Sequence, residues 1–464
     1  MRTPRGLEPH HRREPPTSLN TSLAVITSEV PTFLEDAALR SIRAALGTGV
    51  PLGLAAARAA DVVADLREKA FPIETNAGTV FSVRYGRARK RFVPLLFAEY
   101  ANGEHAVEVT LFRAAGGAAT IERQGWFPLR LTPRRTLAEA AVEVGRWIAA
   151  AVSERGPDIP APAAQPDAAV TPFTAKTAVF AFGTIAGMAL RRVARRVRRR
   201  RHGWNIGVID APIETLLLET PAVRWLALAG NEDTLADPFA LPSSPDIIVC
   251  ERINGRHGVG EIVSVDLRSG SIAEVLCTPE HLSFPFVFEH AGALYALPES
   301  HMTGRITLYR VQPDPLRFVD PITLVDIDGC DPTIVRWADR WWLFCTRASR
   351  LPDTNLFVYF ADTLTGPWMP HARNPVKTDI RGARPAGTPF VYNGTLYRPA
   401  QDCSTSYGAA VVLQRVDALT PDAFAERPVR RLEPDRAGPF PDGLHTVSAA
   451  GTRCFIDGRR DVAG

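Results

Sequence analysis

The sequence predicts a mainly β chain whose C-terminal part, residues 204–464, is a five-bladed β-propeller preceded by a small α+β module. Two observations carry this. First, the second half of the chain repeats itself. DPFALPSSPDIIVCE (237–251), FPFVFEHAGALYALPE (284–299), DPTIVRWADRWWLFCT (331–346), AGTPFVYNGTLYRPAQ (386–401) and LHTVSAAGTRCFID (444–457) each read as strand, turn, strand, closing on a polar residue. Pro238, Pro285 and Pro332 follow one another at intervals of 47 residues. Second, most units continue into a further hairpin, beginning at Gly260, Gly304, Asn355 and Tyr407. Four strands per unit at a period of about 50 residues is the pattern of propeller blades.

The fifth unit reaches Gly464 before its outer strands, while a strand-like piece, WNIGVID (204–210), stands ahead of the first unit. That piece is expected to join the fifth unit and close the ring, removing an open sheet edge.

Residues 1–30 are rich in Pro, Arg, Ser and Thr and are expected to be disordered. Residues 31–155 form the α+β module. Helical spacing marks 36–46 and 53–69, strand alternation marks 78–86, 92–100, 105–114 and 119–130, and a helix is expected over 136–154. Residues 156–203 begin as a Pro/Ala linker and end in a basic helix. There the apolar run 177–190 meets eight arginines within 191–201. The run is shorter than the roughly 20 residues that span a bilayer. A solvated linker helix and a helix lying on an anionic membrane surface both fit it.

Charged residues make up 22% and the net charge is +4, much of it in that one run, so no specific nucleic-acid partner is expected. The six cysteines lack CxxC spacing, which argues against a zinc site, and are too few for a disulfide scaffold. The N-terminus has no apolar signal segment. The expectation is a cytoplasmic protein, with a peripheral membrane setting left open, and with neither metal nor cofactor.

In a propeller the innermost strands line a central channel, so polar residues at equivalent places converge. First strands supply Asp237, Ser283, Asp331, Arg384 and His445; second strands end on Glu251, Glu299, Thr346, Gln401, Asp402 and Asp457. Carboxylates and amides suit sugar hydroxyls, and Phe284, Trp342, Trp368 and Tyr407 offer ring faces. Glycoside hydrolysis needs two carboxyl groups about one bond, for which Asp237, Glu251, Glu299 and Asp331 are the candidates. Arg384 could hold one of them ionised. Arg381 stands beside it in DIRGARPAG.

The stretches HLSFPFVFEHAGALYALPES (281–300), DPTIVRWADRWWLFCT (331–346), LTGPWMPHARNPVKTDIRGARPAG (364–387) and LYRPAQDCSTSYG (396–408) resemble the N-terminal domain of the glucosamine inositolphosphorylceramide transferase family and its bacterial relatives. In the plant members that domain precedes a separate glycosyltransferase domain, so the resemblance carries over no transferase activity. The domain is in turn similar to the five-bladed propellers of arabinanases, β-xylosidases, invertases and levansucrases. That likeness implies Asp237, in ADPF, as base or nucleophile. It also implies a second Asp in the next blade, where this sequence has Phe284-Pro285; the next Asp-Pro is Asp331. Glu299 is the best substitute for the general acid.

The resulting expectation is a carbohydrate-active propeller with catalytic Asp237, Glu299 and Asp331. Glu251, His281, Ser283, Trp342, Arg381, Arg384, Gln401, Asp402, Tyr407 and His445 would bind a carbohydrate or glycolipid substrate. The alternative is a non-catalytic glycan-binding module in polysaccharide or glycolipid synthesis. Residues 61–155 weakly resemble a segment preceding this propeller in bacterial proteins with formyltransferase-like regions, without the Asn, His and Asp constellation of that chemistry.

Overall fold

The computed structural model describes residues 23–26, 33–47, 50–52, 56, 60, 62–66, 77–85, 99–115, 118–153, 175–197, 201–227, 233–254 and 259–462. The chain divides into two compact units. The first takes in Met1–Phe92, Thr110–Arg123 and Leu137–Ala169, and the second Val93–Val109, Gln124–Thr136 and Val170–Gly464. The second unit therefore includes parts of the segment that the sequence assigns wholly to the α+β module.

In the first unit, β1 (Leu23–Ile26) is followed by α1 (Phe33–Leu46), β2 (Val62–Asp65) and β3 (Thr79–Tyr85). The strands pair in parallel, β1 on β2 and β2 on β3. Two expectations are corrected here. Leu23–Ile26 lies in the stretch expected to be disordered, yet its apolar LAVI sequence is a strand with Leu23, Ala24 and Val25 buried. Val62–Asp65 was expected to be helical but is a strand, because its β-branched Val62-Val63 pair is buried between two partners. β4 (Ala106–Ala115), β5 (Ala118–Pro128) and α2 (Pro133–Ser153) stand at the expected places. The strand expected at 92–100 is described only at Glu99 and Tyr100, which are helical. The linker at 156–174 lies outside the described residues. The basic helix is described as α3 (Ala175–Val197), and Arg201, expected at its end, belongs to the next strand.

The remaining strands are arranged as blades. β6 (Arg201–Ile209) and β7 (Arg224–Trp225) precede the first unit of the repeat. That unit is a four-stranded sheet of β8 (Asp233–Leu241), β9 (Ser244–Asn254), β10 (Gly260–Asp266) and β11 (Ile272–Leu276). The second comprises β12 (Ser283–His290), β13 (Ala293–Glu299), β14 (Ile306–Pro313) and β15 (Leu316–Val325). The third begins with β16 (Gly329–Trp337), β17 (Arg340–Arg347) and β18 (Asn355–Ala361). Next to β18 lie two short pieces, β19 (Met369–Pro370) and β20 (Lys377–Asp379). The fourth comprises β21 (Phe390–Tyr392), β22 (Thr395–Asp402), β23 (Ala410–Leu419) and β24 (Phe424–Leu432). The last pairs β25 (Val447–Ala450) and β26 (Arg453–Val462) with β6 and β7.

The expected closure is present: β6 runs antiparallel to β26 from Arg201↔Val462 to Ile209↔Cys454. The five-blade count is corrected. Four sheets are free-standing four-stranded blades, whereas the third unit is not. Pro367, Pro370 and Pro375 fall where its fourth strand would run. Proline has no N–H to give a ladder, so that edge is broken into β19 and β20. β20 then pairs with Gly125 and Trp126.

The blades pack through apolar side chains. Between the first and second, Phe239 meets Phe284 and Phe286 edge-on, with ring centroids 5.0 and 5.6 Å apart. All six cysteines are free.

Candidate functional site

The innermost strands of the first three units share one local device. Each carries a β-bulge on its X-Pro pair: the register slips between Ala236 and Phe239, Ser283 and Phe286, and Cys330 and Thr333. The bulged residues Asp237, Phe284 and Asp331 all have positive φ, at 52°, 44° and 47°. Asp tolerates this region; Phe does not readily. The interval of 47 residues seen in the sequence is therefore a backbone repeat, and Phe284 occupies the place that Asp holds on either side.

The second strands bring Glu251, Glu299, Thr346, Gln401 and Asp457 to equivalent positions, all buried. Glu251 faces Ala236, Glu299 faces Ser283, and Thr346 faces Cys330. The Gln401 N–H donates to Arg384 O at 2.8 Å, and the Asp457 N–H to Thr446 O at 3.4 Å.

These carboxylates cap the bulges of neighbouring units. Asp457 Oδ2 accepts the Asp237 N–H at 3.1 Å. Glu299 Oε2 accepts the Asp331 N–H at 2.8 Å. By the same rule Glu251 should accept the Phe284 N–H, but Asp237 Oδ2 takes it at 3.2 Å. Glu251 Oε1 is left buried without a hydrogen-bond partner among the described residues. His281 Nε2 stands 3.2 Å from it, without hydrogen-bond geometry. His281 Nδ1 accepts the Gly260 N–H at 2.8 Å, which places the proton of a neutral ring on Nε2, towards Glu251. Gly260 is required here, since a Cβ would lie 2.5 Å from Glu251 Oε1 and 2.4 Å from Leu282 O.

The other channel carboxylates are fully engaged. Asp237 Oδ1 accepts the Thr446 hydroxyl at 2.6 Å. Asp331 receives a forked pair from Arg384, at 2.6 and 3.2 Å, and the Gln401 amide at 2.7 Å. Arg384 also reaches Asp353 at 3.2 Å and stands 3.6 Å from Glu299. Glu299 Oε1 meets His301 Nδ1 at 2.7 Å. Asp457 Oδ1 accepts the N–H groups of His445 and Thr446, and its Oδ2 lies 2.5 Å from His445 Nδ1.

Protonation follows this wiring. Burial and the surrounding carboxylates push Glu251 well above the ordinary range. Burial raises Asp331 too, with Glu299 adding to it against Arg384. Asp237 is raised by burial, with His445 opposing. For Glu299 the burial penalty is outweighed by His301, Arg384 and the Asp331 N–H, which hold it down at about 2. His445 is raised, because Asp457 and Asp237 overcome its desolvation.

Glu299 gives a pH prediction. Its folded pKa is depressed below the ordinary 4.5, so its contribution is complete above about pH 4.5 and is lost as pH falls towards 2. The measurement is denaturant unfolding of wild type and Glu299→Gln at several pH values. At neutral pH wild type should be the more stable by about 3 kcal/mol, and the gap should close through that window. A gap independent of pH would refute the assignment.

The structure thus brings Asp237, Glu251, His281, Ser283, Glu299, Asp331, Arg384, Gln401 and His445 to the inner ends of the blades. Tyr407 joins them, edge-on to His445 at 5.4 Å and beneath Arg384 at 5.1 Å. Three candidates go elsewhere. Trp342 is core, packed on Phe360 with its indole N–H on Trp337 O. Arg381 binds Asp379 and stacks 3.8 Å over Trp126. Asp402 pairs with Arg431 at 2.5 Å. Phe284 and Trp368 are likewise packing groups.

Trp204, Thr446, His301 and Asp353 were not singled out in the sequence. Trp204 stacks on His445 at 4.0 Å. Its place in the strand that closes the ring was the available signal, as adjacency to His445 and to Glu299 was for Thr446 and His301. Asp353 carried none. Among the described residues three trios have donor atoms close enough to hold a metal ion: Asp237/His445/Asp457, Glu299/His301/Cys330 and the more exposed Glu261/Glu274/Cys277. In the first, Asp237 and Asp457 accept the Thr446 hydroxyl and backbone N–H groups; in the second, Glu299 meets His301 and accepts the Asp331 N–H.

Fold and site define a propeller-type β protein with a buried cluster of carboxylates at the inner ends of its blades. Residues 254–436 match the family described as glucosamine inositolphosphorylceramide transferase 1, N-terminal. Glucosamine inositolphosphorylceramide transferase 1 of Arabidopsis thaliana is 34% identical over 269 residues, covering 51% of this chain and 35% of that protein. The Oryza sativa subsp. japonica protein of the same name is 36% identical over 154 residues, covering 32% of this chain and 21% of that one. The chain thus spans about a third or less of these relatives.

Among solved structures, RS223-β-xylosidase aligns over 45% of this chain and 80% of its own at a TM-score of 0.34 and 11% identity. Zg3597, a family 117 glycoside hydrolase of Zobellia galactanivorans, aligns over 49% and 85% at a TM-score of 0.32 and 15% identity. Such low scores leave the fold assignment to the blade geometry itself.

Proposed function

We propose that the inner ends of the blades form a carbohydrate-binding pocket and that the propeller-like part of the chain acts as a glycan-recognition module. The observation that carries this reading is Glu251. It is a carboxyl whose Oε1 is buried without a hydrogen-bond partner among the described residues, with His281 Nε2 at 3.2 Å but outside hydrogen-bond geometry. A buried polar atom without a partner is costly unless a ligand or water satisfies it. Kept protonated by its surroundings, Glu251 would offer one donor and one acceptor to a sugar hydroxyl. Arg384, His445 and Tyr407 would line the same pocket. The relatives' name points to a sugar, or a lipid that bears one, as the ligand class.

A second reading is favoured by the contrast between Glu251 and Glu299. A glycosidase or transglycosidase needs one protonated and one ionised carboxyl group. Glu299 is held ionised, so the proton donor would be Glu251, with Asp237 as base. Against it stands Phe284, which removes the carboxylate from the second-blade position.

Calorimetric titration with mono- and oligosaccharides, run beside a nitrophenyl glycoside screen, separates the two. Recognition predicts saturable binding without turnover, and a loss of about tenfold in Glu251→Leu, about the worth of one hydrogen bond. Turnover abolished in both Glu251→Gln and Asp237→Asn would instead establish the enzyme. Binding unchanged in Glu251→Leu would remove Glu251 from the site.

A further inference from the structure

Helix α3 presents an apolar face to solvent. Val179, Phe180 and Leu190 are 70%, 56% and 71% exposed, whereas Ala181 is fully buried. Val179, Gly183, Ala186 and Leu190 recur at the 3.6-residue period, and the same spacing continues in the sequence through Val193 and Val197. By that period, positions 191, 192, 195 and 196, all arginine, fall away from this stripe.

Charge is equally one-sided. Between 175 and 201 stand Lys176 and eight arginines with no Asp or Glu, a segment charge of +9. The whole chain totals +4, so taking that segment away leaves −5 for everything else. Five of these charges, Lys176, Arg191, Arg192, Arg195 and Arg196, lie within α3, the helix that also exposes the apolar stripe, and the other four follow directly after it in the sequence. No helix among the described residues is long and apolar enough to cross a membrane.

We propose that α3 is an in-plane membrane anchor: its Val179–Leu190 stripe enters the acyl boundary of an anionic lipid surface while the arginine run pairs with the headgroups. A polyanion such as nucleic acid would use the arginines but leave the stripe in water, so the combination favours lipid. Each basic residue near an anionic surface contributes about 1 kcal/mol. The arginines bring the helix to the surface, and apolar burial holds it there. This goes beyond the channel reading and does not depend on it.

The test is flotation of the full chain with phosphatidylcholine vesicles, with and without about one-third phosphatidylglycerol. Expected is co-flotation with the anionic vesicles at least about tenfold stronger than with the neutral ones. It should fall about tenfold both in Val179→Asp/Leu190→Asp and in a variant with Arg191, Arg192, Arg195 and Arg196 changed to Gln. An unchanged melting transition confirms that each variant is folded. Absence of flotation, equal flotation with both vesicles, or an Asp variant that floats like wild type would overturn the proposal. The last, with displacement by duplex RNA, would mark a polyanion site instead.

Discussion

Replacing Arg384 by Met is expected to destabilise the protein by about 3–5 kcal/mol, the cost of stripping one partner from a buried ion pair. The guanidinium is nearly buried and serves Asp331 with two bonds, Asp353 with a third and Glu299 at 3.6 Å. Without it, the Asp331 carboxyl stays in a low-dielectric site beside Glu299, with the Gln401 amide as its remaining side-chain partner. It must then stay ionised at a cost or take a proton. Denaturant unfolding measures the loss. Adding Asp331→Asn should recover part of it, because a neutral amide does not need the missing charge, and the double-mutant cycle isolates the coupling. Stability within about 1 kcal/mol of wild type in Arg384→Met would mean that the pair is not buried as described.

Gly387→Ala is the second large effect, about 4 kcal/mol or more. Gly387 sits where the fourth unit meets the last, bridged in parallel to Val447. The Val447 N–H donates to Ala386 O at 2.7 Å, and the Thr388 N–H to Val447 O at 3.1 Å. Gly387 has φ of +131°, and an added Cβ would stand 1.8 Å from Val447 O and 2.5 Å from its carbonyl carbon. Those atoms are backbone and cannot swing aside, so the two blades must part. Gly394→Ala is the control. It too has positive φ, +70°, but nothing lies within 4 Å of its Cβ. There only the conformational penalty of about 1–2 kcal/mol applies. Equal losses in the two variants would show that steric contact between blades plays no part at Gly387.

Most of the ring was legible because its signals are local. Each inner hairpin spans about 15 residues, so alternation and the recurring X-Pro pair announced it. The closing role of Trp204–Asp210 followed from counting strands. Other parts failed for equally physical reasons. Val62-Val63 reads as helix beside an Ala-rich run, and burial against β1 and β3 overrides that preference. The third unit has strands enough on paper, but its prolines break the outer ladder.

The sequence by itself determined which strand ends are equivalent from one unit to the next, but not every residue expected at the site is there: Trp342, Arg381 and Asp402 go elsewhere. Strand parity and the repeat placed Glu251, Glu299, Thr346, Gln401, Asp402 and Asp457 at the second-strand ends, and Asp237, Ser283, Asp331, Arg384 and His445 on the first strands. Only the tertiary structure decided what each of them does there. Asp237 reaches across to the Phe284 N–H, which releases Glu251; His301, Arg384 and the Asp331 N–H converge on Glu299 and hold it ionised; Trp342 turns into the core. These outcomes depend on distances between residues brought together from different blades, up to 220 positions apart in the chain. A periodicity sets direction along one strand, but the separation of two groups across a ring is set by how the blades pack.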